Sequence, residues 1–234
     1  MIVGNLKSMS EIASSVTGYH KVLVLGCGGC VTVCRSGGDA EAHDLARRLS
    51  HPENFREIPP EFVVETIERQ CENDLVKSYL KIPEGTEALL SLACGVGVQI
   101  VADIFEPLPV FPALTTTFMG GADEPGVWRE KCRGCGDCLL AYTAGICPIA
   151  LCAKRLLNGP CGGSRAGNCE VSADIPCAWA RIYTRLEKQG KLHLMDEFRA
   201  PRDWRKAGYT GPREHKRTGI ELTYGEIVLN ADTR

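Results

Sequence analysis

Eight of the chain's 13 cysteines fall between Cys132 and Cys177. The stretch opens Cys132-x2-Cys135-x2-Cys138, a spacing that lets three thiolates wrap one corner of an iron–sulfur cube. It continues with Cys147, Cys152, Cys161, Cys169 and Cys177. Eight thiols make two tetrads, but the spacing leaves the partition open. The pair Cys147-Pro148 comes later than the fourth ligand of a ferredoxin loop would. A second set lies upstream: Cys27, Cys30 and Cys34, with Cys94 as the fourth member. Cys30 and Cys34 are four residues apart and share a face if that segment is helical. Cys71 is the rival of Cys94. Gly95 and Gly97, like Gly28 and Gly29 upstream, allow close backbone approach, which favours Cys94 and leaves Cys71 as the odd thiol.

Thiols at this density serve either disulfides or metals. Thirteen is odd, so complete pairing is arithmetically excluded. The opening MIVGNLKSMSEIASSV has neither the charged-then-apolar order of a signal peptide nor an apolar run that would span a bilayer. A cytoplasmic protein is therefore expected, where disulfides rarely persist and metal ligation is the better account. Two [4Fe–4S] clusters on the eight later cysteines are the first expectation. One cluster plus a tetrathiolate zinc is the second, and two structural zincs the last. The five histidines (20, 43, 51, 193 and 215) show no ligand spacing. No nucleophile and no acid–base pair stands out, so no catalytic residue is assigned.

The chain has 234 residues and a net charge of −2. That balance offers no broad positive field for nucleic acid or an anionic membrane. Aromatic content of 6% gives few platforms for stacking bases. Neither nucleic acid nor membrane is expected as a partner.

The elements that must position the upstream thiols alternate in type. HKVLVLG, EFVVETI, EALLSLA and LPVFPAL carry the apolar runs of buried strands. AEAHDLARRL, ENDLVKSYL and GVGVQIVADIF lie between them with helical patterning. That order predicts an α/β domain over residues 1–122: a small, Rossmann-like parallel sheet with helices on both faces. In such a sheet, groups at the carboxyl ends of the strands converge on one crevice, and helix N-termini there would favour an anionic cluster. A dinucleotide site fits poorly, because Gly26-Cys27-Gly28-Gly29-Cys30-Val31 ends in valine where the fingerprint needs glycine. Residues 123–192 form a glycine-rich, metal-bearing module closed by the helix DIPCAWARIYTRLEKQGKL. Arg133, Lys154, Arg155 and Arg165 would offset thiolate charge there and raise a potential if close. Residues 193–234, with dense mixed charge, are expected as an extended tail that contacts a partner.

The stretch with CRGCGDC, TAGICPIALCAKRLLNGPCGG, GNCEV and CAWARIYTRL closely resembles a C-terminal module of methylenetetrahydrofolate reductases. CGGCVTVC, SLACGVGVQIVAD and PVFPALTTTFMG resemble the N-terminal half of the same MetV-type small subunit, so the likeness covers about residues 20–190. Ala153 stands where the resemblance leads to an expectation of proline, and it is not among the expected ligands. The resemblance implies iron–sulfur clusters, two or three [4Fe–4S] in all, with zinc as the alternative at one tetrathiolate site. Its ligands would be Cys27, Cys30, Cys34 and Cys94 together with the eight later cysteines. It also implies a MetF-type partner that holds flavin and folate, and further partners such as ferredoxin or heterodisulfide-reductase-like subunits. The implied role is electron transfer in the methyl branch of the Wood–Ljungdahl pathway. A metal-stabilised scaffold that assembles the reductase is the alternative.

Overall fold

The computed structural model describes residues 1–56, 58–208 and 211–215. The chain divides into two compact units whose described parts are 1–118 and 119–215. Much of the expected tail, 209–210 and 216–234, lies outside the described residues.

The first unit runs β1 (Ile2–Leu6), α1 (Met9–Val16), β2 (Lys21–Cys27), α2 (Cys30–Val33), α3 (Asp39–Leu49), β3 (Glu61–Ile67), α4 (Asn73–Tyr79), β4 (Ala88–Ser91), α5 (Gly95–Ile104), β5 (Val110–Pro112) and the start of β6 (Leu114–Glu124). β3, β2, β4 and β5 form a four-stranded parallel sheet in that order. Residues 22–25 of β2 are fully buried, as a strand covered on both faces requires. The pleat sorts them. Leu23 and Leu25 pack with Val76 and Leu80, at and beside α4, and with Val101 of α5. On the opposite parity, a Cβ at Gly26 would stand 3.3 Å from Ala42 of α3. Helices thus cover both faces, and Cys27 shares the parity of Leu23 and Leu25. The four sequence-expected strands form this sheet; β1 and α1 were not anticipated.

β6 pairs with β1 near its start. In the second unit its end pairs antiparallel with β7 (Val127–Cys132), Gly121 opposite Arg129, around a turn at Gly126 with φ 84°. This hairpin occupies FMGGADEPG, which sequence marked only as a domain exit. α6 (Pro148–Leu151) and α7 (Ala178–Lys188) follow. Ile146, Ala178, Trp179, Ile182 and Leu186 form a small apolar cluster, and the Trp179 indole donates to the Leu156 carbonyl at 3.1 Å. Between Cys132 and Cys177 only Thr143, Ile146, Pro148 and Ile149 are buried. So thin a core offsets little of the entropy of ordering this segment.

Candidate metal centres

In the first unit the carboxyl ends of three adjacent strands present thiols. Cys27 ends β2, Cys71 follows β3 by four residues, and Cys94 is the N-cap of α5, three residues past β4. The turn after Cys27 is tied to β3: the Gly28 N–H donates to the Ile67 carbonyl at 2.9 Å. Gln70, fully buried, clamps the next loop to the sheet. Its amide donates to the carbonyls of Leu25 (2.9 Å) and Gly26 (3.0 Å), and its oxygen accepts from the Ser91 hydroxyl at 2.6 Å. Cys71 is the next residue. Burial pushes its thiol above the ordinary range, and the nearby Cys27, Glu72 and Cys94 push it further.

Cys34 does not join them. It caps α2, is buried, and lies 3.1 Å from the Ser36 hydroxyl and 3.9 Å from the Ile2 carbonyl of β1. Cys30, half-buried, opens α2. The expectation of two favourable helix N-termini needs correction. α2 has four residues, too few for a useful dipole, which leaves α5, where the Thr116 hydroxyl takes the Gly95 N–H at 2.8 Å.

The second unit separates its eight thiols. Cys152, Cys161, Cys169 and Cys177 line one cavity of about 20 Å³, beside Trp179 and Lys154. Short backbone links shape it: the Cys169 N–H donates to Ile175, and the Cys177 N–H to Gly167, each at 2.8 Å. Cys132, Cys135 and Cys138 stand on a loop that doubles back at Gly134 (φ 58°) and Gly136 (φ 76°), a conformation that glycine adopts without strain. Cys147 caps α6.

All thirteen thiols are free. Among the described residues, no three or more His, Cys, Asp or Glu side chains stand close enough together to hold a single ion. Thiols dominate the donors in each cluster of loops, which fits zinc or iron–sulfur centres better than hard, oxygen-seeking ions.

Two of the cations that sequence placed near these thiols are paired with carboxylates. Arg133 pairs with Glu130 at 2.8 Å, and Lys154 pairs with Glu170. Sequence missed Arg202. Its guanidinium lies 3.2 Å from the Cys135 sulfur and donates to the carbonyls of Cys135 and Asp137. The described tail runs back along this loop: Asn158 brackets the Arg199 backbone at 2.8 and 2.9 Å, and Arg213 donates to the Gly134 carbonyl at 3.0 Å. No signal in the sequence links positions 67 residues apart.

Residues 111–205 match the family described as "Methylene-tetrahydrofolate reductase C terminal". The likeness is confined to this segment of the chain. The segment contains β7, α6, α7, all eight later cysteines and Arg202. No curated protein and no solved structure gives a significant match. No helix among the described residues is long and apolar enough to cross a membrane.

Proposed function

We propose that this chain is the iron–sulfur electron-transfer subunit of a heteromeric 5,10-methylenetetrahydrofolate reductase, serving the methyl branch of the Wood–Ljungdahl pathway. The observation that carries the reading is the coincidence of the family segment with eight free thiols over a thin core. When bound, a [4Fe–4S] cluster supplies reversible one-electron storage without a proton. The chain's own residues hold, bury and bias such centres. Flavin and folate belong to a MetF-type partner, and ferredoxin or a heterodisulfide-reductase-like protein is the donor class.

Three thiolate sets follow. One cluster belongs to the strand ends of the first unit. A second belongs to Cys132, Cys135, Cys138 and Cys147. The third set, Cys152, Cys161, Cys169 and Cys177, surrounds a space that admits about one water-sized body, which suits a single tetrathiolate zinc better than a cube. The scaffold alternative draws on the same thin core, since zinc alone would also stabilise it.

Purification without oxygen, together with the flavin partner, tests the reading. Cys27→Ser and Cys132→Ala are expected to lose iron and viologen-linked reduction of the partner's flavin. Wild-type iron in both variants ends it. Zinc without reducible iron leaves the scaffold.

A further inference from the structure

We infer that the inorganic centre of the first unit is held by Cys27, Cys30, Cys71 and Cys94, and that Cys34 is a packing thiol outside it. The inference rests on the iron–sulfur reading above and changes its ligand set.

Parity comes first. Cys27 lies on the sheet face that carries Leu23 and Leu25, the face covered by α4 and α5. Cys71 leads into α4 and Cys94 leads into α5, so all three enter from the same side at the same end of adjacent strands. Close contact confirms the convergence of their loops. A Cβ at Gly29 would stand 3.7 Å from the Cys27 sulfur and 3.7 Å from Arg69, two residues before Cys71. A Cβ at Gly97, in the first turn of α5, would stand 2.9 Å from the Gln70 Cβ. The loop holding Cys71 is thus wedged between the Cys27 turn and the start of α5. Gln70 fixes it there through both neighbouring strand ends. Cys30 completes the set as the second thiol of a Cys-x2-Cys pair. Cys34 closes the α2 turn against β1 and Ser36, where its Sγ has oxygen neighbours already.

Loading is a ligand exchange with a preformed [4Fe–4S] cluster. Each of four thiols gives its proton to solvent base and forms one S–Fe bond as one small ligand leaves the iron. No electron is exchanged.

The test is iron and acid-labile sulfide on the full chain, reconstituted without oxygen, for wild type, Cys71→Ser, Cys94→Ser, Cys34→Ser and Cys34→Ala. Cys71→Ser and Cys94→Ser are expected to lose about four irons each, one cubane's worth. Both Cys34 variants are expected to keep the full complement. Full iron in Cys71→Ser overturns the inference. So does iron lost from either Cys34 variant while the β2 amides stay protected from hydrogen exchange. If wild type takes up no iron, the iron–sulfur reading fails by itself. Cobalt(II) titration then decides the ligand set. A thiolate-to-cobalt band weakened by Cys71→Ser and not by Cys34→Ala supports it, and bands unchanged by Cys71→Ser overturn it.

Discussion

Gln70 ties the thiol-bearing loop to the sheet, and its removal should be felt in both. Gln70→Met keeps length and most of the packing but deletes the amide. Three buried hydrogen bonds disappear: two donated to the Leu25 and Gly26 carbonyls and one accepted from Ser91. The Leu25 carbonyl still receives the Leu92 N–H at 2.9 Å, and the Ser91 hydroxyl still accepts from the Ala93 N–H at 3.2 Å, so neither is fully stranded. Three net bonds at about 1 kcal/mol each give a cost of about 3 kcal/mol. That is a roughly 10²-fold rise in the opening equilibrium of the strand ends. Amide hydrogen exchange on the metal-free chain measures it directly, since protection reports the opening free energy segment by segment. Faster exchange is expected in 22–27 and 88–93, with α7 unchanged. A cost below about 1 kcal/mol in β2 and β4 would refute the clamp, because a buried three-bond amide cannot be removed so cheaply.

Other perturbations follow from the same geometry. Leu186→Ala, at a fully buried site of a five-residue cluster, should cost about 2–5 kcal/mol in denaturant unfolding followed by the fluorescence of Trp179 beside it. Gly97→Ala would place a methyl 2.7 Å from Ala93 and 2.9 Å from Gln70, and about 1–3 kcal/mol of overpacking should appear as a lower melting temperature. Arg202→Gln removes a cation held against Cys135; the potential of an iron centre on that loop should fall by tens of millivolts in a redox titration, with Arg202→Lys partly restoring it. The hydrogen bond from Lys131, aided by Arg129, holds the Asp123 carboxyl below the usual range. Its folded form is thus the weaker acid-binding state. Hairpin protection should be complete above the ordinary aspartate range and fall as pH drops through the lowered folded value, a step that Asp123→Asn removes.

The parallel sheet was legible because burial on both faces leaves uninterrupted apolar runs such as Val22–Leu25, closed by glycine. The β6–β7 hairpin was not. Its strands are largely exposed, so charges and glycines interrupt the pattern that marks a strand. Cysteine spacing raised the expectation of metal chemistry but left its partition open. Spacing is one-dimensional, whereas the set lining the second unit's cavity is gathered by backbone links at Cys169 and Cys177. Cys34 matched Cys30 as a helical pair, and the Cys34 N–H does donate to the Cys30 carbonyl at 3.2 Å, but the Cys34 sulfur meets Ser36 and the Ile2 carbonyl of β1, which spacing does not show. Cys71 looked surplus because nothing in its flanks shows that Gln70 is buried. Arg202 reaches Cys135 only through the return of the tail, which no local pattern encodes.

Mössbauer spectroscopy of the full chain, enriched in ⁵⁷Fe, prepared with its partner and without oxygen, weighs the central claim most directly. The account predicts cubane iron, about eight atoms per chain in two environments, that dithionite reduces while one zinc stays silent. Preparations whose thiols hold only zinc, or no metal at all, would contradict it.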